Sequence, residues 1–473
     1  MPILLLAALL AGCGHDWDFF DPLPGGGGAG ATGSGGATTG GSGSGSGSGA
    51  SGATVGSGAA GGSGGVASTG GGGSGGGAPV LHCAGTHLLQ DDFTDKVLDA
   101  RWAVTSTTGG ATVVETNADL TMPMPPQQVA PAFAQVMSRR RYDLLDNRLR
   151  FEVVETLAAA AGSAVTGAGA YLDSDHWLHF HTVGGKLVLS QRVAGATTEI
   201  GSLDHDPIAQ RYWQLRESGG TVFWETSPDG VTFSVQAQAS VGSLFGLEHV
   251  RIEMLSQTQG GETAPGTSSF ASVNDGLPTQ GGWCPAISLI DDFDDGVQGV
   301  LWARSFVNAG GTTVEADGVV TLTPALSAVS EAAYVSGTAY DISESSFTVE
   351  AVQTTNVTPK VQTFMRAETD SDNGFTIAAM SGTLYFRIEQ AGSLAVVASI
   401  PYDAEEHHWW RARGTAGTIH WDTSPDGLLW TERATTPAGT VDLTVVDVLL
   451  AAKADAAAAM PGLAKFDNFN VPP

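Results

Sequence analysis

From about residue 79 onward, apolar and polar positions alternate in short runs. Such runs are Leu149–Val154, Trp177–His181, Leu187–Leu189, Tyr212–Arg216 and Val222–Glu225. Later ones are Phe347–Glu350, Phe375–Ile377, Leu384–Ile388 and Thr418–Trp421. A period of two with Gly, Asn and Asp between the runs predicts half-buried antiparallel strands. Ser-Pro-Asp-Gly at 227–230 and again at 424–427 suits a type I turn, because Pro presets φ at the second position and Gly closes the turn. It predicts hairpins joining Val222–Glu225 to Val231–Phe233 and Ile419–Asp422 to Leu428–Trp430. No long helical period is present.

The pattern also occurs twice. Asp91-Asp92-Phe93 returns as Asp291-Asp292-Phe293, and Trp102 as Trp302. Trp213 and Trp224 return as Trp410 and Trp421, and Phe270 to Asn274 is matched by Phe466 to Asn470. A repeat of about 200 residues is too long for a solenoid unit. The chain is therefore expected to be all-β, with two tandem antiparallel β-sandwich domains at 79–282 and 283–473.

Ahead of them, residues 13–78 are dominated by Gly, Ser, Ala and Thr. The stretch from Pro24 to about Ala78 holds no aromatic or ionisable side chain. Such a composition cannot bury a core and is expected to be a disordered tether. The chain opens with a run of Leu and Ala ending in Leu10-Ala11-Gly12-Cys13, too short to span a bilayer. It resembles the lipobox of bacterial lipoprotein signal peptides. That resemblance implies a signal peptide at 1–12, lipidation of Cys13, and a membrane contact made through the lipid anchor only. Gly14 follows Cys13, which makes the outer membrane the preferred location.

The formal net charge is −28. Phosphate binding needs clustered cations, so nucleic acid is excluded as a partner.

The paired Asp-Asp-Phe, the early Trp, the Trp-x-x-x-Arg strand before the Ser-Pro-Asp-Gly hairpin and the closing Phe-rich strand together resemble the concanavalin A-like lectin/glucanase superfamily, a two-sheet jelly roll. The resemblance implies neighbouring first and last strands in each domain. That would bring Cys83 and Cys284 together as a disulfide, the alternative being two free thiols. It also implies structural calcium, with Asp92, Asp292 and Asp467 as the ligands by position. No cofactor is required otherwise. The glucanases of this superfamily carry Glu-x-Asp-x-x-Glu on one strand, a motif neither repeat has, so the chain is expected not to be an enzyme.

The repeats differ most at one strand. Trp177-Leu-His179-Phe-His181 aligns with Gly374-Phe-Thr376-Ile-Ala378. Leu178 and Phe180 stay apolar and should face the core, which puts Trp177, His179 and His181 on the opposite face. An exposed Trp beside two His could stack a sugar ring and bond its hydroxyls. Otherwise a neighbouring loop covers the Trp and the His lie on a solvated face, or the two His bind zinc, for which no third ligand is visible. Trp213, Trp224, Trp410 and Trp421 read instead as sandwich core, and Arg216 and Arg413 as partners of a local carboxylate. The expectation is a cell-envelope lipoprotein whose two jelly-roll modules bind carbohydrate or a cell-surface protein. The alternatives are a structural or adhesive protein without a small ligand, and a glycoside hydrolase.

Overall fold

A computed structural model describes residues 83–473 apart from 117, 127–130, 159–163, 260–261, 279–280, 327 and 356–359. The signal peptide, Cys13 and the tether lie outside the described residues.

In chain order the first fourteen strands are β1 (Trp102–Thr108), β2 (Val114–Glu115), β3 (Leu120–Pro123), β4 (Ala132–Ser138) and β5 (Arg148–Glu155). Then come β6 (Ala164–Asp173), β7 (His176–Val183), β8 (Lys186–Val193), β9 (Ala196–Asp204) and β10 (Tyr212–Ser218). The last are β11 (Thr221–Ser227), β12 (Ser234–Ser240), β13 (Arg251–Thr258) and β14 (Thr267–Val273). They make two seven-stranded antiparallel sheets, ordered β1-β4-β13-β6-β7-β8-β9 and β12-β11-β10-β5-β14-β3-β2. Fourteen of the fifteen strands described from Phe306 to Asp467 form two further seven-stranded sheets in the same order, strand for strand, and the short strand Tyr340–Asp341 pairs with Cys284–Pro285. The described residues thus contain two sandwiches of one topology.

Local chemistry explains the connections. β7 passes to β8 through Gly184 and Gly185, at φ 57° and 76°, with Val183 paired to Lys186. Two positive φ angles are what a two-residue hairpin turn of the right twist needs, and glycine adopts them without strain. At Ser-Pro-Asp-Gly the turn runs longer than the sequence suggests. Ser227 Oγ accepts from the Asp229 and Gly230 amides, and Asp229 Oδ1 accepts from those of Val231 and Thr232. With those amides captured, pairing resumes only at Ser234, and the same contacts at Ser424 and Asp426 delay the second copy to Thr431.

Leu178, Phe180, Trp213 and Trp224 are fully buried between the first pair of sheets, with the Phe180 and Trp213 rings stacked at 5.6 Å. Trp410 and Trp421 fill the same places in the second. The repeated landmarks tie chain ends to the core. Trp102 Nε1 donates to Asp91 Oδ2 at 2.8 Å, and Trp302 to Asp291 at the same distance. Asp91 pairs with Val273, and Asp291 with Phe469, so the first and last segments of each sandwich are neighbours. Asn274 and Asn470 each donate twice to carbonyls of the entering segment, at Thr86 and Leu89 or at Ala286 and Leu289.

The two sandwiches belong to one compact unit. Cys83 and Cys284 are disulfide-bonded with Cα atoms 4.9 Å apart. Arg140 reaches across to Asp447, which also takes Arg304 at 2.7 Å. Gly337 O accepts from the Arg141 amide, and Thr338 Oγ1 donates to Arg141 O. Among the described residues no helix is long and apolar enough to cross a membrane.

Candidate active site

The face of β7 turned away from the core carries Trp177, His179 and His181, on the side the alternation predicts. Its floor is β6, which puts Gly167 and Gly169 there. In register, Glu253, Gly169, His179 and Ser190 form one row across β13, β6, β7 and β8. Side chains on alternate strands of a sheet are normally held apart by the one between them. Here the one between is glycine. A Cβ at Gly169 would stand 2.4 Å from His179 Cδ2, and one at Gly167 2.8 Å from His181 Cδ2. Both rings therefore lie down over bare backbone.

The consequence is a buried ionisable pair. His179 Nε2 is 2.6 Å from Glu253 Oε2, with the two residues 3% and 0% exposed. Neither of these two atoms has another hydrogen-bond partner. Gln135 Nε2 donates to Glu253 Oε1, and Thr105 Oγ1 donates to Gln135 Oε1. On the other side His179 Nδ1 meets His181 Nε2 at 3.3 Å, and Ser190 Oγ meets His181 Nδ1 at 3.1 Å. Burial, and next the neighbouring His179, hold the His181 pKa well below the ordinary imidazole value. Trp177 stacks on His179 at 4.6 Å and meets His181 edge-on at 5.6 Å. Polar contacts thus run from Thr105 on β1 to Ser190 on β8.

Trp177 is therefore not the exposed platform expected from the sequence. It is 6% exposed, because three rings pack on one another over a glycine floor. His179 is equally enclosed, and His181 alone of the three keeps partial exposure. Glu253, Gln135 and Ser190 were missed by sequence reasoning, since each lies on a strand not adjacent in sequence to β7 or carries no motif.

The second sandwich supplies the comparison. The matching row is Leu449, Arg366, Thr376 and Arg387, and the next is Ala451, Phe364, Ala378 and Tyr385. Ala333, Val335, Phe364, Ala378, Leu449 and Ala451 pack there as a small apolar cluster. Arg366 turns aside to Glu368 at 2.6 Å and Glu389 at 2.8 Å. The polar chain belongs to the first sandwich, and the fold is kept without it.

The recurring carboxylates on the other sheet are structural. Glu225, 4% exposed, pairs with Arg216 at 2.7 Å, and Asp422, 1% exposed, with Arg413 at 3.0 Å. The calcium expectation finds no support in the geometry. Asp92 caps Thr94, Asp292 caps the Asp294 amide, and Asp467 accepts from the Asn468 amide. Burial, followed by Glu350, Asp294 and Asp292, pushes the Asp467 pKa up to about 6. Among the described residues no group of three or more His, Cys, Asp or Glu is placed to hold a metal ion.

No protein-family model matches the chain, and no curated protein matches it in sequence. Solved structures do. An apo Crh5 transglycosylase is 14% identical over 40% of this chain and 85% of its own, with a TM-score of 0.29. The catalytic domain of an endo-1,3-beta-glucanase (laminarinase) from Thermotoga petrophila is 10% identical over 39% and 94%, with a TM-score of 0.31. A structure described under endo-acting O-glycanases of the human gut microbiota is 11% identical over 39% and 97%, with a TM-score of 0.32. The likeness is of fold and fixes no chemistry. The expectation that the chain is not an enzyme is nonetheless corrected. It rested on a missing motif. Folding brings Glu253 against His179 where no spacing along the sequence displays a pair.

Proposed function

We propose that this protein acts on carbohydrate at the cell envelope, held there by a lipid on Cys13, with the β7 face of the first sandwich as its working surface. One observation carries the reading: a buried carboxylate–imidazole pair, His179 to Glu253 at 2.6 Å, in a row where the second sandwich has Thr376 and Leu449 instead. A buried charge is costly unless it is paired, and the second sandwich keeps the fold with a different set on this face, Arg366 with Glu368 and Glu389. The presence of the carboxylate–imidazole pair in only one copy supports chemistry there. Glu253 and His179 supply a carboxylate and a proton-transferring ring beside the partly exposed His181. The test is a panel of bacterial and plant polysaccharides offered to the full chain, scored for binding and for released reducing ends or substituents. Glu253→Gln is expected to lose the response and Thr376→Ala, on the matching face of the second sandwich, to keep it. A panel in which nothing is bound or altered rejects the reading.

A further inference from the structure

The contacts around Glu253 have a direction. A 2.6 Å approach between His179 Nε2 and a carboxylate oxygen requires a proton between them, and we place it on the nitrogen. With no second proton on that ring, Nδ1 is an acceptor and the 3.3 Å contact is donated by His181 Nε2–H. His181 Nδ1 is left as an acceptor, and the hydrogen on Ser190 Oγ, 3.1 Å away, points at it. Each ring's tautomer is set by the next group, and the chain ends on a serine hydroxyl against a neutral base.

We infer that Ser190 is a nucleophile, activated by His181, for hydrolysis of acyl esters carried on carbohydrate. A hydroxyl on a base that is itself oriented by a further group and a carboxylate is the general arrangement for nucleophilic catalysis. His181 is the base, and His179 and Glu253 are positioning residues. Ser190 Oγ adds to the ester carbonyl carbon while its proton passes to His181 Nδ1. The C–O bond to the sugar breaks, and the sugar oxygen takes that proton. Water then repeats the sequence on the acyl-serine, releasing the acid and restoring the hydroxyl. No oxidant, metal or further reactant is needed. The lowered His181 pKa keeps this ring neutral, as a base must be. Ser190 is 1% exposed, so an ester reaches it only when the side chains over it move, and His181 is the one of the three ring residues with partial exposure. The second sandwich has Arg387 in place of Ser190 and Ala378 in place of His181, and lacks both parts.

The identity of the ester's carrier rests on the carbohydrate reading, while the nucleophile does not. The full chain is treated with diisopropyl fluorophosphate, a small organophosphorus acylation mimic, and the adduct is mapped by peptide mass spectrometry. Acetate release from acetylated polysaccharide is followed in parallel. The expected result is a single adduct on Ser190, absent in Ser190→Ala, with labelling slowed roughly 100-fold or more by Glu253→Gln. Labelling should also fall on acidification, because protonated His181 no longer accepts from Ser190. An unlabelled wild-type Ser190 overturns the inference without any need for a variant, as does labelling that Ser190→Ala leaves unchanged. A labelled Ser190 with no polysaccharide bound supports the nucleophile and removes the carbohydrate reading. Polysaccharide binding without a label does the reverse.

Discussion

Arg140 and Asp447, 307 residues apart, make a two-point contact between the sandwiches, with Nε at 3.0 Å from Oδ1 and Nη2 at 3.2 Å from Oδ2. The carboxylate is nearly buried and also holds Arg304. Asp447→Asn leaves two guanidinium groups facing an amide. It should cost about 2–4 kcal/mol, since unpairing a buried charge is worse than losing the attraction alone. Arg140→Ala should cost less, because Arg304 still neutralises Asp447. Urea denaturation of both variants, followed by tryptophan fluorescence, measures the difference.

Gly169→Ala should be severe. The added methyl would stand 1.9 Å from Leu178 O as well as against His179, so backbone must move. A loss of several kcal/mol is expected, in the range seen for overpacked cores or worse. Gly282→Ala, where a Cβ meets nothing within 4 Å, is the matched control and should change the melting temperature little.

Breaking the Cys83–Cys284 bridge frees a loop of 201 residues. Chain entropy puts the loss near 5 kcal/mol for paired Ser variants, less if the reduced chain stays partly compact. Thiol titration of the native protein before and after reduction checks that both sulfurs are bonded.

Two carboxyls should contribute less stability as pH rises through neutrality, against the opposite trend of His181, whose lowered pKa favours folding as pH rises. Burial, and next Asp95, push the Glu115 pKa up to about 7. Burial and Asp295 do the same to Glu315, whose ordinary value is near 4.5. A carboxyl whose folded pKa is raised binds its proton more tightly in the folded state. Its contribution is complete below about pH 4.5 and is lost as pH climbs through about 7. Asp467 acts in the same sense up to about pH 6. Glu115→Gln with Glu315→Gln should raise the melting temperature at pH 8 relative to that at pH 5, compared with the unsubstituted protein.

Anchoring is tested by detergent partition. The native chain expressed in a bacterium should enter the detergent phase, and Cys13→Ala should leave it. A Cys13→Ala protein that is processed and still membrane-bound rejects the lipid.

Much of the fold was legible because its signals are local. Alternation around Leu178 and Phe180 fixed which way β7 faces, and Trp213 and Trp224 announced the core by recurring. Arg216 and Arg413 lie two residues along a strand from a hairpin partner, so their carboxylates were within sequence reach. The candidate site is different. Glu253 lies 74 residues beyond His179, and their meeting depends on strand order and on Gly169 standing between them in register. Periodicity gives the face of a strand but not its neighbours. The one available signal was Gly167-Ala-Gly169, two glycines on one face of an otherwise strand-like run, marking a place where other groups come close to backbone.

The disulfide has a mechanical consequence. The segment that leads back to Cys13 joins the folded chain at Cys83, and Cys83 is bonded directly to Cys284, at the threshold of the second sandwich. A pull between the N-terminal segment and the C-terminus runs through that sulfur–sulfur bond. Residues 84–283 sit in a covalent side loop and bear none of the tension. Drag on anything the second sandwich or the C-terminus grips would load the second sandwich and leave the first, with its His179–Glu253 pair, undeformed.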